Sequence, residues 1–146
     1  MNILLCHNHY QIRAGECLVV ETEAAQLRAR GHRVIMYTRD NAEIRSLSTA
    51  GRAKAFVEAF DNSRTTAEIN ELIDRERPDV AHVHNVFPLI SPSVYRALKG
   101  RGVPVVQTIH NFRFMCLNGL LFTHGERCRR CVNHTLWPGI WRRCFR

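Results

Sequence analysis

The chain has 146 residues, 45% apolar and 23% charged, an ordinary globular composition long enough for one domain with its own core. No apolar run approaches the ~18 residues that cross a bilayer, and Met1-Asn2-Ile3-Leu4-Leu5-Cys6 lacks the basic flank and small-residue cleavage site of a secretory signal. The net charge of +8 is unevenly placed: residues 127–146 carry six arginines and no acid, which leaves +2 for the first 126 residues.

These features lead us to expect a cytoplasmic protein with reduced cysteines. The arginine-rich tail reads as a solvated face, as an edge that meets a partner domain, or as a surface for an anionic partner. Anionic lipid would place the protein peripherally on the inner face of a membrane.

In chain order, the first apolar run, Ile3–Cys6, predicts a buried strand and ends in His7-Asn8-His9. Cys17 to Arg30 predicts a helix with Val20, Ala24 and Leu27 on one face and Gly31 as its stop. Val34–Tyr37 reads as a second strand, followed by a weaker helical region from Asn41 to Phe60. Thr65-Thr66-Ala67-Glu68 has the form of a capping box opening a helix with Ile69, Leu72 and Ile73, ended by Pro78. Val80–Val83 predicts a third strand. Ser91-Pro92 predicts the cap of a helix carrying Val94 and Leu98, and Val103–Ile109 predicts the last strand. Val- and Ile-rich strands with little alternation, separated by helices, predict a doubly wound parallel α/β sheet covered on both faces.

Ligands of such sheets bind outside the carboxyl ends of the strands. Those ends are polar here: His7-Asn8-His9, His82-Val83-His84-Asn85 and His110-Asn111. Alternation points His82 and His84 to one side. Gly15-Glu16 opens the first helix, where a glycine lets a backbone N–H approach a sugar or phosphate oxygen. Neither a P-loop nor a Gly-x-Gly-x-x-Gly fingerprint is present.

Taken together, Ile3-Leu4-Leu5-Cys6-His7-Asn8-His9-Tyr10, Gly15-Glu16, Arg30-Gly31-His32-Arg33-Val34, Pro78–Asn85 and Pro104–Asn111 resemble the amino-terminal domain of family 4 glycosyltransferases of the GT-B fold. Where that family usually shows a glycine pair in the first loop, this chain has Ala14-Gly15. The resemblance implies one Rossmann-like half of a two-domain enzyme: residues 1–111 as the acceptor-side domain, with the donor-binding domain not among these residues. It implies transfer of a sugar from a nucleotide-sugar to a glycan or glycolipid acceptor, with the anomeric configuration retained and without metal in the chemistry. It places His110 at the reacting centre. His9, Gly15, Glu16, His84, Asn85 and Asn111 become substrate-side candidates. By itself the chain should be inactive.

Residues 112–146 have no counterpart in that resemblance. They lack long periodic elements and carry Cys116, Cys128, Cys131 and Cys144, a C-x11-C-x2-C-x12-C spacing that suits a structural zinc site. Two disulfides and an iron–sulfur cluster are the rival readings, and His124 and His134 are spare ligands. Cys6 and Cys17 read as small core residues, and Trp137 and Trp141 as core or interface. A zinc-stapled basic module for nucleic acid or another anion is the alternative function, weakened by the absence of a recognition-helix pattern.

Overall fold

A computed structural model describes residues 1–10, 15–132, 135 and 137–144. The described residues form two compact units, Met1–Thr108 and Ile109–Arg146.

The first unit is a four-stranded parallel sheet of order β2-β1-β3-β4, built from β1 (Asn2–His9), β2 (Arg33–Asp40), β3 (Val80–Val83) and β4 (Val105–Gln107). Helices cover both faces. On one, Leu4 and Cys6 of β1 pack with Ile69 and Ile73 of α3 (Ser63–Glu76) and with Val94 and Leu98 of α4 (Ser93–Gly100). On the other, Leu5 packs with Val20 and Ala24 of α1 (Gly15–Ala29). This is the doubly wound arrangement that uninterrupted apolar strands require, since each needs cover on two sides. Cys6 is fully buried, and burial pushes its thiol up to about 12, which leaves it inert.

Several boundaries depart from expectation for local reasons. β1 runs through His9 rather than stopping at Cys6, because His7 and Asn8 are buried in polar company. The helix expected from Thr65 starts at Ser63, capped by Asn62, whose side chain accepts the Thr65 N–H at 3.2 Å. Glu68 does not close a capping box. It accepts from Tyr37 Oη–H and Arg64 Nε–H, each at 2.6 Å. Burial, followed by that bond to Glu68, pushes the Tyr37 hydroxyl up to about 12. Ser91 is not the cap of α4 either: it takes a left-handed backbone (φ 63) and its Oγ accepts the Ser93 N–H, one turn-like step before the helix. The region from Asn41 divides into a 3₁₀ turn, Asn41–Ile44, and α2 (Thr49–Glu58), capped by Ser48.

β4 is the largest departure in this unit. It covers only Val105–Gln107, and Val105 and Val106 are exposed, so the sheet is not covered on both faces at this edge. Pro104 has no N–H to extend the ladder backwards, and the last backbone bond to β3, from Thr108 N–H to Val83, is followed by exposed Ile109.

The second unit holds a small hairpin, β5 (Phe122–Thr123) and β6 (Glu126–Arg127), and a one-turn helix α5 (Trp137–Trp141). His124 and Gly125 both have positive φ (52 and 80). That is the two-residue turn whose twist matches a hairpin.

Candidate functional site at the carboxyl ends of β1 and β3

The strand order changes direction between β1 and β3: β2 follows on one side of β1, and β3 and β4 follow on the other. A crevice opens outside the strand ends at such a switch point. Here those ends are His7-Asn8-His9 and His84-Asn85.

Two asparagines tie these ends together. The Asn8 backbone N–H donates to the Asn85 carbonyl at 2.8 Å, and Asn85 Nδ2 donates back to the Asn8 carbonyl at 3.1 Å. Asn8 Nδ2 donates to Asn41 Oδ1 at 2.7 Å, while its Oδ1 accepts the Leu89 N–H at 3.2 Å. Asn85 Oδ1 accepts the Phe87 N–H at 3.2 Å. Both side chains are buried and hydrogen-bonded, and their bonds to backbone groups fix the loop after β3 against β1.

Between α1 and the sheet lies a layer of ionisable side chains. Odd-numbered residues of β1 and even-numbered residues of β3 face α1, which brings His7, His9, His82 and His84 to one side. Cys17 Sγ of α1 stands 3.4 Å from His9 Nδ1 and 3.5 Å from His7 Nε2. Glu23, further along α1, has Oε1 2.9 Å from His82 Nδ1 and Oε2 3.3 Å from His84 Nε2. His82 Nε2 meets Thr108 Oγ1 at 2.8 Å. The His7 and His84 rings are 6.1 Å apart, edge to face, so the two groups form a continuous layer. A carboxylate between two imidazoles holds both rings in fixed orientation.

Among the described residues, His7/His9/Cys17 and Glu23/His82/His84 are the groups whose donor atoms lie within 4.8 Å of one another. His9 is half-buried at the lip and His84 is fully buried behind it. Glu16 is half-buried and Gly15 exposed at the start of α1. A Cβ on Gly15 would meet nothing within 4 Å, so packing within the chain does not require glycine there. Ala14, its neighbour in the first loop, lies outside the described residues. His110 and Asn111 belong to the second unit. His110 is half-buried, and Asn111 Oδ1 accepts the Arg113 N–H at 3.0 Å in a local turn.

Sequence reasoning named His7 and Asn8 only as part of a polar strand end, did not single out Asn41 or Glu23, and read Cys17 only as a core residue. Cys17 is buried as expected, but it also faces two histidines. The signal for Glu23 was present: an acid three residues after Val20, beside Ala24, stands on the inward face of a helix. An acid on that face needs a partner, and the nearest candidates are the histidines of β3.

The profile described as a glycosyl transferase 4-like domain matches residues 18–145. The chain belongs to the glycosyl transferase 4-like family. No curated protein and no solved structure matched it significantly. The four-stranded Rossmann-like sheet is that of one half of a GT-B enzyme. The family match extends to residue 145, so the cysteine-rich tail, for which the sequence alone offered no counterpart, lies inside the glycosyl transferase 4-like domain.

Of the core-or-interface reading of the tail tryptophans, core does not hold: Trp137 and Trp141 are exposed, at 70% and 92%. His124 occupies the exposed hairpin tip, and His134 lies outside the described residues. None of the six cysteines is in a disulfide. Among the described residues no helix is long and apolar enough to cross a membrane.

Proposed function

We propose that this glycosyl transferase 4-like domain is the acceptor-binding half of an enzyme that moves a sugar from a nucleotide-sugar to a hydroxyl of a glycan or glycolipid. The observation that supports this reading best is the set of polar carboxyl ends of β1 and β3 at the switch point of the sheet, tied together by an asparagine clasp and backed by a histidine layer. Such an edge suits a polyhydroxylated ligand, because it offers several hydrogen-bonding groups at strand ends held in place by the clasp. His9, Gly15 and Glu16 are the lip residues in this reading. Asn85 and His84 act from behind, holding the edge rather than touching the sugar. His110, three residues past β4, is assigned to the transferred sugar by family resemblance.

The diphosphate of the donor carries the charge that develops on the leaving group. Helix N-termini and basic side chains stabilise it in metal-independent transfer, and the resemblance assigns those groups to a second Rossmann-like domain. The 146-residue chain titrated calorimetrically with UDP-glucose and GDP-mannose is therefore expected to show no micromolar binding. Micromolar affinity for either would refute the division of labour between two domains.

A further inference from the structure

Among its described residues, the second unit has no apolar interior. Its buried residues, among those described, are Cys116, Gly119, Cys131 and Gly139: two thiols and two residues without side chains. Its large apolar side chains point outward instead, including Phe112, Phe114, Leu120, Phe122, Trp137 and Trp141. A unit of under ~40 residues seldom orders itself even with a good core, and usually relies on disulfides, a metal or a partner.

The four tail cysteines gather around one space, but no three of their Sγ atoms lie within 4.8 Å of one another, so a bound metal would have to draw the thiols together. All four of Cys116, Cys128, Cys131 and Cys144 line one small cavity, with Leu117 and Gly139 among its other walls. Each is held by a tight local structure. The Cys116 carbonyl accepts the Gly119 N–H at 2.9 Å in a turn whose glycine has φ 77. Cys128 leaves the hairpin with its N–H on the Leu121 carbonyl at 2.8 Å. A turn closed from Val132 N–H to the Arg129 carbonyl at 3.0 Å separates Cys128 from Cys131. Cys144 follows α5 with its N–H on the Gly139 carbonyl at 2.9 Å. Four stretches of chain thus bring one cysteine each to the wall of this cavity.

We propose that this cavity is a structural zinc site in which Cys116, Cys128, Cys131 and Cys144 are the four ligands and the metal takes the place of the missing core. A soft tetrathiolate set selects zinc over hard cations such as calcium and magnesium. Each thiol gives up its proton on ligation, and the four negative charges fall among tail arginines: Arg127, Arg129, Arg130, Arg142 and Arg143. This accounts for a basic segment at the site: the cations offset the net −2 of a zinc tetrathiolate. With four protein ligands no position is open for catalysis, so the site orders the segment that follows His110 and takes no part in transfer.

The test uses the whole chain purified under reducing conditions. Elemental analysis is expected to give about one zinc per chain, and replacement by Co²⁺ the intense visible bands and thiolate charge transfer of a tetrahedral sulfur site. Alkylation mapping should find the four tail cysteines protected until chelation, and Cys6 unreactive throughout because its thiol is raised by burial. The Cys128→Ser/Cys131→Ser double variant should lose the metal. Retention of stoichiometric metal by that variant would move the site elsewhere, to His7/His9/Cys17, and overturn the proposal. Metal-free wild-type chain, with free thiols or with two disulfides by mass spectrometry, would overturn it equally.

Discussion

At the scale of single residues, Asn8 carries more of the site than any histidine. Its side chain joins β1 to Asn41 and to the Leu89 N–H, and its backbone joins Asn85. Asn8→Ala leaves the Leu89 N–H and the Asn41 amide without those partners in a buried place. The expected loss is about 2–4 kcal/mol of unfolding free energy, roughly two buried hydrogen bonds, measurable by urea denaturation. A change under ~0.5 kcal/mol, the range of an ordinary surface substitution, would show that the clasp contributes nothing. Glu43 gives a prediction in pH. Hydrogen bonds from Arg39 hold its carboxyl below the usual carboxylate range. A depressed carboxyl stabilises the fold above its unfolded pKa of about 4.3, and that contribution disappears as pH falls through the lower folded value. The stability difference between wild type and Glu43→Gln should therefore be present at neutral pH and shrink to zero in acid. The pair is solvent-screened, so it should amount to only a few tenths of a kcal/mol. The polar strand ends were legible as a functional edge. The identity of their partners was not, because Glu23 and Cys17 reach His82, His84, His7 and His9 only once α1 is laid on the sheet.

At the scale of elements, the sheet and its helices follow from local pattern: apolar runs for β1, β2 and β3, and an inward stripe for α3. What pattern missed were the ends. The cap of α3 is Asn62, whose Nδ2 also donates to the Leu89 carbonyl at 2.8 Å, a long-range bond that outweighs the local Thr65–Glu68 motif. Asn62→Ala should cost about 1–2 kcal/mol, the value of a cap, read as a lower thermal midpoint. In the tail, Gly139 is the element-level constraint. A Cβ there would come within 2.8 Å of Leu117 Cβ and 3.5 Å of Cys131 Sγ. Gly139→Ala should displace α5 from the thiol cavity and increase amide exchange between Cys116 and Cys144, leaving β1–β4 protected. Unchanged exchange would show that α5 does not close the cavity.

At the scale of the whole molecule, the chain falls into two units. The first is an apolar, doubly wound sheet with a polar edge at its strand ends; the second is a cysteine-lined segment with its hydrophobic side chains outward. The Rossmann-like half was legible because parallel strands leave a compositional mark. The tail was legible only as cysteine spacing, since it has neither period nor core to read. His110 stands at the start of the second unit. In the complete two-domain enzyme that family resemblance implies, sugar transfer can be followed as nucleoside diphosphate released from UDP-glucose or GDP-mannose in the presence of a glycolipid extract. The account predicts that His110→Ala lowers kcat/KM by about 10²-fold or more, as for loss of a group that stabilises the transition state, with the thermal midpoint unchanged. A variant that folds normally and keeps wild-type kcat/KM would contradict it.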